Sequence, residues 1–171
     1  MPWPIGAGAL ALWFLWTAAP WLRRGATTNH TEIHGGAVVS IQEGPCANPP
    51  EELAALYFRR LARLGGYLAV QTTFSEHAAS VRFLFVPLIR FGALRREEGR
   101  ESLTIGNALF SRHGGTLSFV RKGGRIRVEL RGFRPRLAML LYRWTQLPIH
   151  AAAGRAFLAW IDRTSARTFK P

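Results

Sequence analysis

The sequence predicts an α+β fold in which an N-terminal transmembrane helix is followed by an antiparallel sheet packed against a long C-terminal helix. Three observations predict it. No charged side chain occurs from Ile5 to Leu22. From Tyr67 to Phe133 short β-rich runs are separated by turn residues. From Arg136 to Arg163 apolar residues return at helical spacing. The chain has 171 residues, 48% hydrophobic and 19% charged, which suits one folded domain and excludes a disordered chain.

The N-terminal run reads IGAGALALWFLWTAAPWL, eighteen residues, close to the length that a hydrocarbon layer of about 30 Å requires. Trp3 and Trp21 sit at its ends, where aromatic side chains favour the interface. Pro20 falls in the last turn, and Arg23 and Arg24 follow at once. A cleaved secretory signal fits less well, because no Lys or Arg precedes the run and Thr17-Ala18-Ala19 only loosely matches a cleavage site. The expectation is therefore an uncleaved anchor over residues 1–24, with a linker over 25–30. A domain over 31–164 and a flexible tail over 165–171 complete the chain. The two arginines hold the domain on the cytoplasmic side of an inner membrane by the positive-inside rule.

Ile33 to Gln42 is rich in Val and Ile and reads as a strand. Gly44, Pro45, Asn48, Pro49 and Pro50 break it. A helix follows, with Asn48 as cap, Pro49 and Pro50 in the first turn, and Glu51 and Glu52 at the positive helix end. Leu53, Leu56, Tyr57, Leu61 and Leu64 form its apolar face, and Gly65-Gly66 stops it. Tyr67 to Phe74 and Val81 to Phe91 read as strands, with Pro87 marking an edge, bulge or end. Arg95 to Arg100 is a charged turn, and Ser102 to Phe110 is a weaker strand. Thr116–Arg121 and Arg125–Arg131 flank Lys122-Gly123-Gly124, a hairpin signal. In the final helix Leu137, Leu140, Leu141 and Trp144 make an apolar stripe, and Pro148 is expected to break or kink it.

This order of strand, helix, antiparallel meander and long C-terminal helix resembles the helix-grip arrangement of the START and polyketide-cyclase-like ligand-binding superfamily. Asn48-Pro49-Pro50-Glu51-Glu52 matches the way its first helical region opens. The resemblance covers about Thr31 to Thr164. The chain departs from the pattern in having one first helix where two short ones are usual, and in carrying Pro148 within the last helix. The resemblance implies a cavity between sheet and C-terminal helix that holds an apolar ligand. Tyr67, Phe74, Phe83, Phe85, Phe110, Phe119 and Trp144 are the aromatic residues expected to line it.

Charge adds a second expectation. Lys and Arg total 23 against 10 Asp and Glu, a net charge of +13, and only Lys122 and Lys170 are lysines. Such a balance favours anionic partners. Arg121, Lys122, Arg125, Arg127 and Arg131 lie on one hairpin, with Arg134 and Arg136 just after it. Acidic lipid head groups are the expected contact, at ~1 kcal/mol for each basic side chain close to the surface. Nucleic acid is disfavoured, since Phe119 and Phe133, the aromatic candidates for stacking, belong in the core.

Catalytic signals are sparse. Ser75-Glu76-His77 and Ser111-Arg112-His113 each place Ser beside His, without the strained G-x-S-x-G elbow. His77 and His113 are the candidates for an acid or base. His30, Glu32 and His34 would share one strand face, a conceivable ligand set that reads better as a polar surface, so neither a metal nor a cofactor is expected. Cys46 is the only cysteine, which excludes an internal disulfide. The sequence thus points to a membrane-anchored basic domain that binds a lipid or another apolar ligand at the inner leaflet, or serves as an assembly partner. An enzyme using His77 or His113 on a membrane-borne substrate is the first alternative, and nucleic-acid binding the second.

Overall fold

The computed structural model describes residues 28–64 and 70–167. Eight strands and two helices follow one another: β1 (Thr28–His34), β2 (Ala37–Pro45), α1 (Leu53–Leu64), β3 (Val70–Phe74), β4 (Ala79–Phe83), β5 (Val86–Glu97), β6 (Arg100–Ile105), β7 (Thr116–Lys122), β8 (Arg125–Phe133) and α2 (Met139–Arg167). The strands make one antiparallel sheet in the order β1-β2-β8-β7-β6-β5-β4-β3. Sequence neighbours pair throughout, except that β2 crosses to β8 and so joins the two halves.

Among the described residues no helix is long and apolar enough to cross a membrane. This corrects the expected N-terminal transmembrane helix and the single-pass inner-membrane location derived from it. Residues 1–24, on which both rested, lie outside the described residues.

Both helices lie on one face of the sheet. α1 contacts β3 and β6, α2 contacts β2, and the two helices also touch. α1 buries Leu53, Ala54, Tyr57, Phe58 and Ala62, the i, i+4 and i+1 positions that make one stripe. Its aromatic residues interlock with the sheet: the Phe58 ring stacks on Phe74 at 5.4 Å and meets Phe91 edge-on at 5.3 Å. Tyr57 lies 5.1 Å from Phe119 and 5.2 Å from Phe157 of α2, ring centre to ring centre.

The start of α1 is held from outside the segment. The helix begins at Leu53, beyond Asn48, Pro49 and Pro50, and Glu51 and Glu52 are exposed before it. The acceptor for its first turn comes from β6: the Ala54 amide donates to Glu101 Oε2 at 2.6 Å. A carboxylate at this position meets an otherwise orphaned amide and the positive end of the helix together. Thr72 of β3 donates to the Phe58 carbonyl at 3.0 Å, fixing the other side of the helix.

Where the sequence suggests one strand from Val81 to Phe91, the structure turns sharply at Leu84, which has φ of +52°. Two strands result, with Pro87 near the start of β5 beside an irregular register. At the N terminus Gly35 and Gly36, both with positive φ, form a turn between two strands where one was expected. α2 runs unbroken through Pro148. It lies close over β2 because Gly154 faces Gln42; a Cβ at 154 would collide with Gln42 Oε1 and sit 3.1 Å from its Cδ.

Replacing Glu101, 2% exposed, by Ala should cost about 1–3 kcal/mol, since it strands a buried helix amide. Urea unfolding measures this, and unchanged stability would show that water meets the amide instead.

Candidate functional site

Between the inner face of the sheet and the two helices lies a cavity of about 180 Å3. Its floor comes from the central strands: Val81 and Phe83 of β4, Leu88, Ile89 and Phe91 of β5, Ile105 of β6, Leu117 of β7, and Val128, Leu130 and Phe133 of β8. Tyr57 and Leu61 of α1 form one side, and Gln146, Ile149, His150 and Ala153 of α2 form the other. Ser40 and Gln42 of β2 and Val70 of β3 complete the lining, with Phe110 and Leu137 from the connecting segments. No Asp, Glu, Lys or Arg is among the described residues that line it.

The polar residues of this wall are the ones that amphipathic patterning does not ask for. Along β2 the buried side chains are Val38, Ser40 and Gln42, while Val39 and Ile41 are only half-buried on the other face. Ser40 and Gln42 tolerate the interior because they bond one another and β1. Gln42 Nε2 donates to Ser40 Oγ at 2.7 Å and to Asn29 Oδ1 at 3.1 Å, and Ser40 Oγ lies 3.0 Å from Thr31 Oγ1.

On α2 the situation differs. Gln146 is 6% exposed, and neither its Nε2 nor its Oε1 has a hydrogen-bond partner among the described residues. An unsatisfied buried polar group costs about 1–3 kcal/mol. One turn later His150 packs against Phe133, ring centres 5.4 Å apart, and Tyr142, at 6.3 Å. His150 keeps part of its surface accessible where it lines the cavity. The protein around it nevertheless pushes its pKa down to about 4 by burial, so the imidazole is neutral at physiological pH. Tyr57, also on the wall, has its phenol pushed up to about 12 by burial.

The residues singled out in the sequence fall in several places. Phe83 and Phe110 line the cavity. Phe119 is fully buried in the core, behind Tyr57 and Phe157 rather than on the wall. Phe74 packs on Phe58 and borders a shallow groove beside α1. Phe85, 87% exposed, and Trp144, 77% exposed, stand out into solvent. Tyr67 lies outside the described residues.

His77 is exposed in the turn between β3 and β4. His113 is exposed too, and its backbone amide donates to Asn107 Oδ1 at 2.7 Å. Neither lines the cavity, and neither ring bonds a carboxylate among the described residues. Cys46 is buried, its Sγ 3.3 Å from Ser165 Oγ. His30, Glu32 and His34 do share one face of β1, as alternation requires. Their side chains bond each other: His30 Nε2 to Glu32 Oε1 at 2.7 Å and His34 Nε2 to Glu32 Oε2 at 3.0 Å. The hydrogen bonds to His34 and then His30 hold the Glu32 carboxyl below its ordinary pKa. Among the described residues no group of His, Cys, Asp or Glu is arranged to hold a metal ion.

Arg125, Arg127 and Arg131 of β8 occupy the outer face of the sheet, opposite Val128 and Leu130 of the cavity floor. Arg125 and Arg127 both bond Glu43 of β2, the second at 2.8 Å. Arg131 meets Glu129 at 2.9 Å, while Arg127 and Arg100 approach it at 3.4 Å. Burial raises the Glu129 pKa, but Arg131, Arg127 and Arg100 outweigh it and leave the carboxyl below its ordinary value. Arg121 donates to the Pro50 carbonyl at 3.3 Å, and Arg136 to the Ser111 carbonyl at 3.0 Å. Lys122 and Arg134 are exposed.

No protein-family model matches the chain, and no curated protein matches it in sequence. Similar solved structures include the human StarD13 (DLC2) lipid transfer and protein localization domain. It is 8% identical, with 84% of this chain and 92% of that chain covered and a TM-score of 0.43. CalU16 from Micromonospora echinospora is 9% identical, with 84% and 96% covered and a TM-score of 0.38. TTHA0849 from Thermus thermophilus is 12% identical, with 91% and 85% covered and a TM-score of 0.33.

Most of the wall escaped the sequence analysis, including its polar residues Ser40, Gln42, Gln146 and His150. A signal was available for the last two. Gln146, His150 and Ala153 recur at spacings of four and three, a polar interruption of a helix face.

A pH measurement tests the His150 environment. With the folded pKa near 4 and the ordinary value 6.5, the unfolded chain binds the extra proton first as pH falls. Stability should be full above pH 6.5 and decline between 6.5 and 4, by up to about 3 kcal/mol. Chemical unfolding of His150→Phe should lack this part of the decline. Parallel pH profiles for the two proteins would contradict a buried neutral imidazole.

Proposed function

We propose that this chain binds a small apolar molecule in the cavity between its sheet and helices. The observation that supports this is the cavity itself: about 180 Å3, walled mainly by aliphatic and aromatic side chains. A comparable apolar cavity of about 150 Å3 stays dry and takes up benzene. The cavity is smaller than the ~300–1,000 Å3 typical of drug-sized ligands, so the occupant is about the size of one substituted ring or a short acyl group.

The way in is marked by exposed apolar residues. Leu84, Phe85 and Val86 form the β4–β5 tip, next to the cavity residues Phe83 and Leu88. Leu109 is exposed beside the cavity residue Phe110. The amides of Leu109 and Phe110 donate to the Pro87 and Leu88 carbonyls at 3.3 and 3.2 Å, which ties the two segments together. Leu140, Leu141 and Trp144 add the exposed first turns of α2, just past the cavity residue Leu137. Neighbouring apolar surfaces of this kind mark an entry or interaction site. The exposed positions of His77 and His113 lend no support to catalysis at the cavity.

Toluene is a suitable first probe, followed by NMR and by its effect on the melting temperature. Ala153→Phe projects a ring into the space from α2, and should weaken toluene binding at least tenfold while the circular dichroism stays native. Undiminished toluene binding by that variant would place the bound molecule elsewhere.

A further inference from the structure

The cavity is not uniformly greasy, and its polar part is the informative one. Gln146 offers a donor and an acceptor that no described residue uses, and it lines the cavity while 6% exposed. Protein interiors seldom leave a side-chain amide idle at both ends, so such a group calls for a partner. His150 lies one turn away on the same helix face and lines the same wall. Its neutral ring has one donor and one acceptor nitrogen. Gln42 shares the wall, but its Nε2 is engaged by Asn29 and Ser40, and neither polar atom of Gln146 bonds it. Among the described residues no charged side chain reaches the wall to balance an ionised ligand.

We propose that the occupant carries one uncharged polar group that both donates and accepts hydrogen bonds, as a carboxamide does, seated against the Gln146 amide and the His150 ring. Its apolar remainder lies on the side chains of β4, β5 and β8. The proposal rests on the apolar-ligand reading above and narrows it to a chemical class. An anion is excluded from the site because a buried charge without a counter-charge binds poorly. A pure hydrocarbon enters but leaves both ends of Gln146 unmet.

Three probes of one size separate these cases: benzamide, benzoate and toluene, titrated at neutral pH into the full-length protein and followed by NMR. Benzamide should bind at least tenfold more tightly than benzoate. In Gln146→Leu the ratio of benzamide to toluene affinity should fall roughly tenfold, while toluene binds at least as well as before. The leucine removes an unpaired amide, so the empty variant should melt no lower than the wild type; Gln146→Met serves as the second variant. Equal binding of benzamide and benzoate, or a benzamide-to-toluene ratio unchanged in both variants, overturns the proposal and leaves the apolar-ligand reading standing. Failure of both toluene and benzamide to bind overturns that reading and the proposal with it.

Discussion

The structure depends on a mismatch of widths. An eight-stranded antiparallel sheet presents a broad inner face that must be kept from water, and two helices are available to cover it. Each helix is seated near an end. α2 is drawn onto β2 by the small residue at 154, and its Ala-rich segment from Ala151 to Ala153 presents little bulk toward the sheet. α1 is held over β3 and β6 by Thr72 and Glu101. The strands between them contribute side chains of ordinary size, and these do not meet across the gap. The cavity is what remains once both helices have found their seats. Packing explains where it is, and Gln146 and His150 give its α2 wall a polar part.

The outer face solves a different problem. Glu129 is 3% exposed, a position where a lone carboxylate would be costly. The guanidinium groups of Arg131, Arg127 and Arg100 cover it and keep it ionised. Glu43 holds two further ion pairs with Arg125 and Arg127. Part of the conspicuous basic hairpin is therefore engaged within the sheet: Arg125 and Arg127 stitch β8 to β2, and Arg100 of β6 reaches across to Glu129 of β8. Counting charges along the sequence shows the excess of Arg, but not that Glu43, from a strand distant in sequence, lies beneath it beside the hairpin's own Glu129.

Legibility in the sequence followed the range of the interactions. The β7–β8 hairpin was readable because its turn and alternation are local, and the helical nature of α1 because its periodicity is strong, but its buried stripe runs through Ala54, Phe58 and Ala62 while Leu56 and Leu61 are only partly buried. The cap of α1 was not, since Glu101 lies 47 residues away from Ala54. The break at Leu84 was hidden because Leu84 adopts a positive φ that a non-glycine residue seldom takes. The inward face of β2 was hidden for a different reason. Val39 and Ile41 alternate with Ser40 and Gln42, and ordinary patterning would put the aliphatic side chains inward. The structure turns the polar ones in, where a hydrogen-bonded group with β1 supports them. Departures from patterning of this kind are expected at sites with a task. Of the aromatic residues proposed for the site, Phe83 and Phe110 reached it; Phe119 was drawn into the core by neighbours that no local pattern reveals.

Pro148 sits within α2 between Gln146 and His150. A pyrrolidine has no amide hydrogen, so the carbonyl of Trp144 receives no bond from the residue four positions on. The helical ladder therefore lacks a rung in the stretch that forms the polar wall. Bending concentrates where a rung is missing. A small tilt there would swing the exposed start of the helix, with Leu140, Leu141 and Trp144, relative to the length anchored on β2, and the chamber would open by flexing one backbone joint without melting the helix.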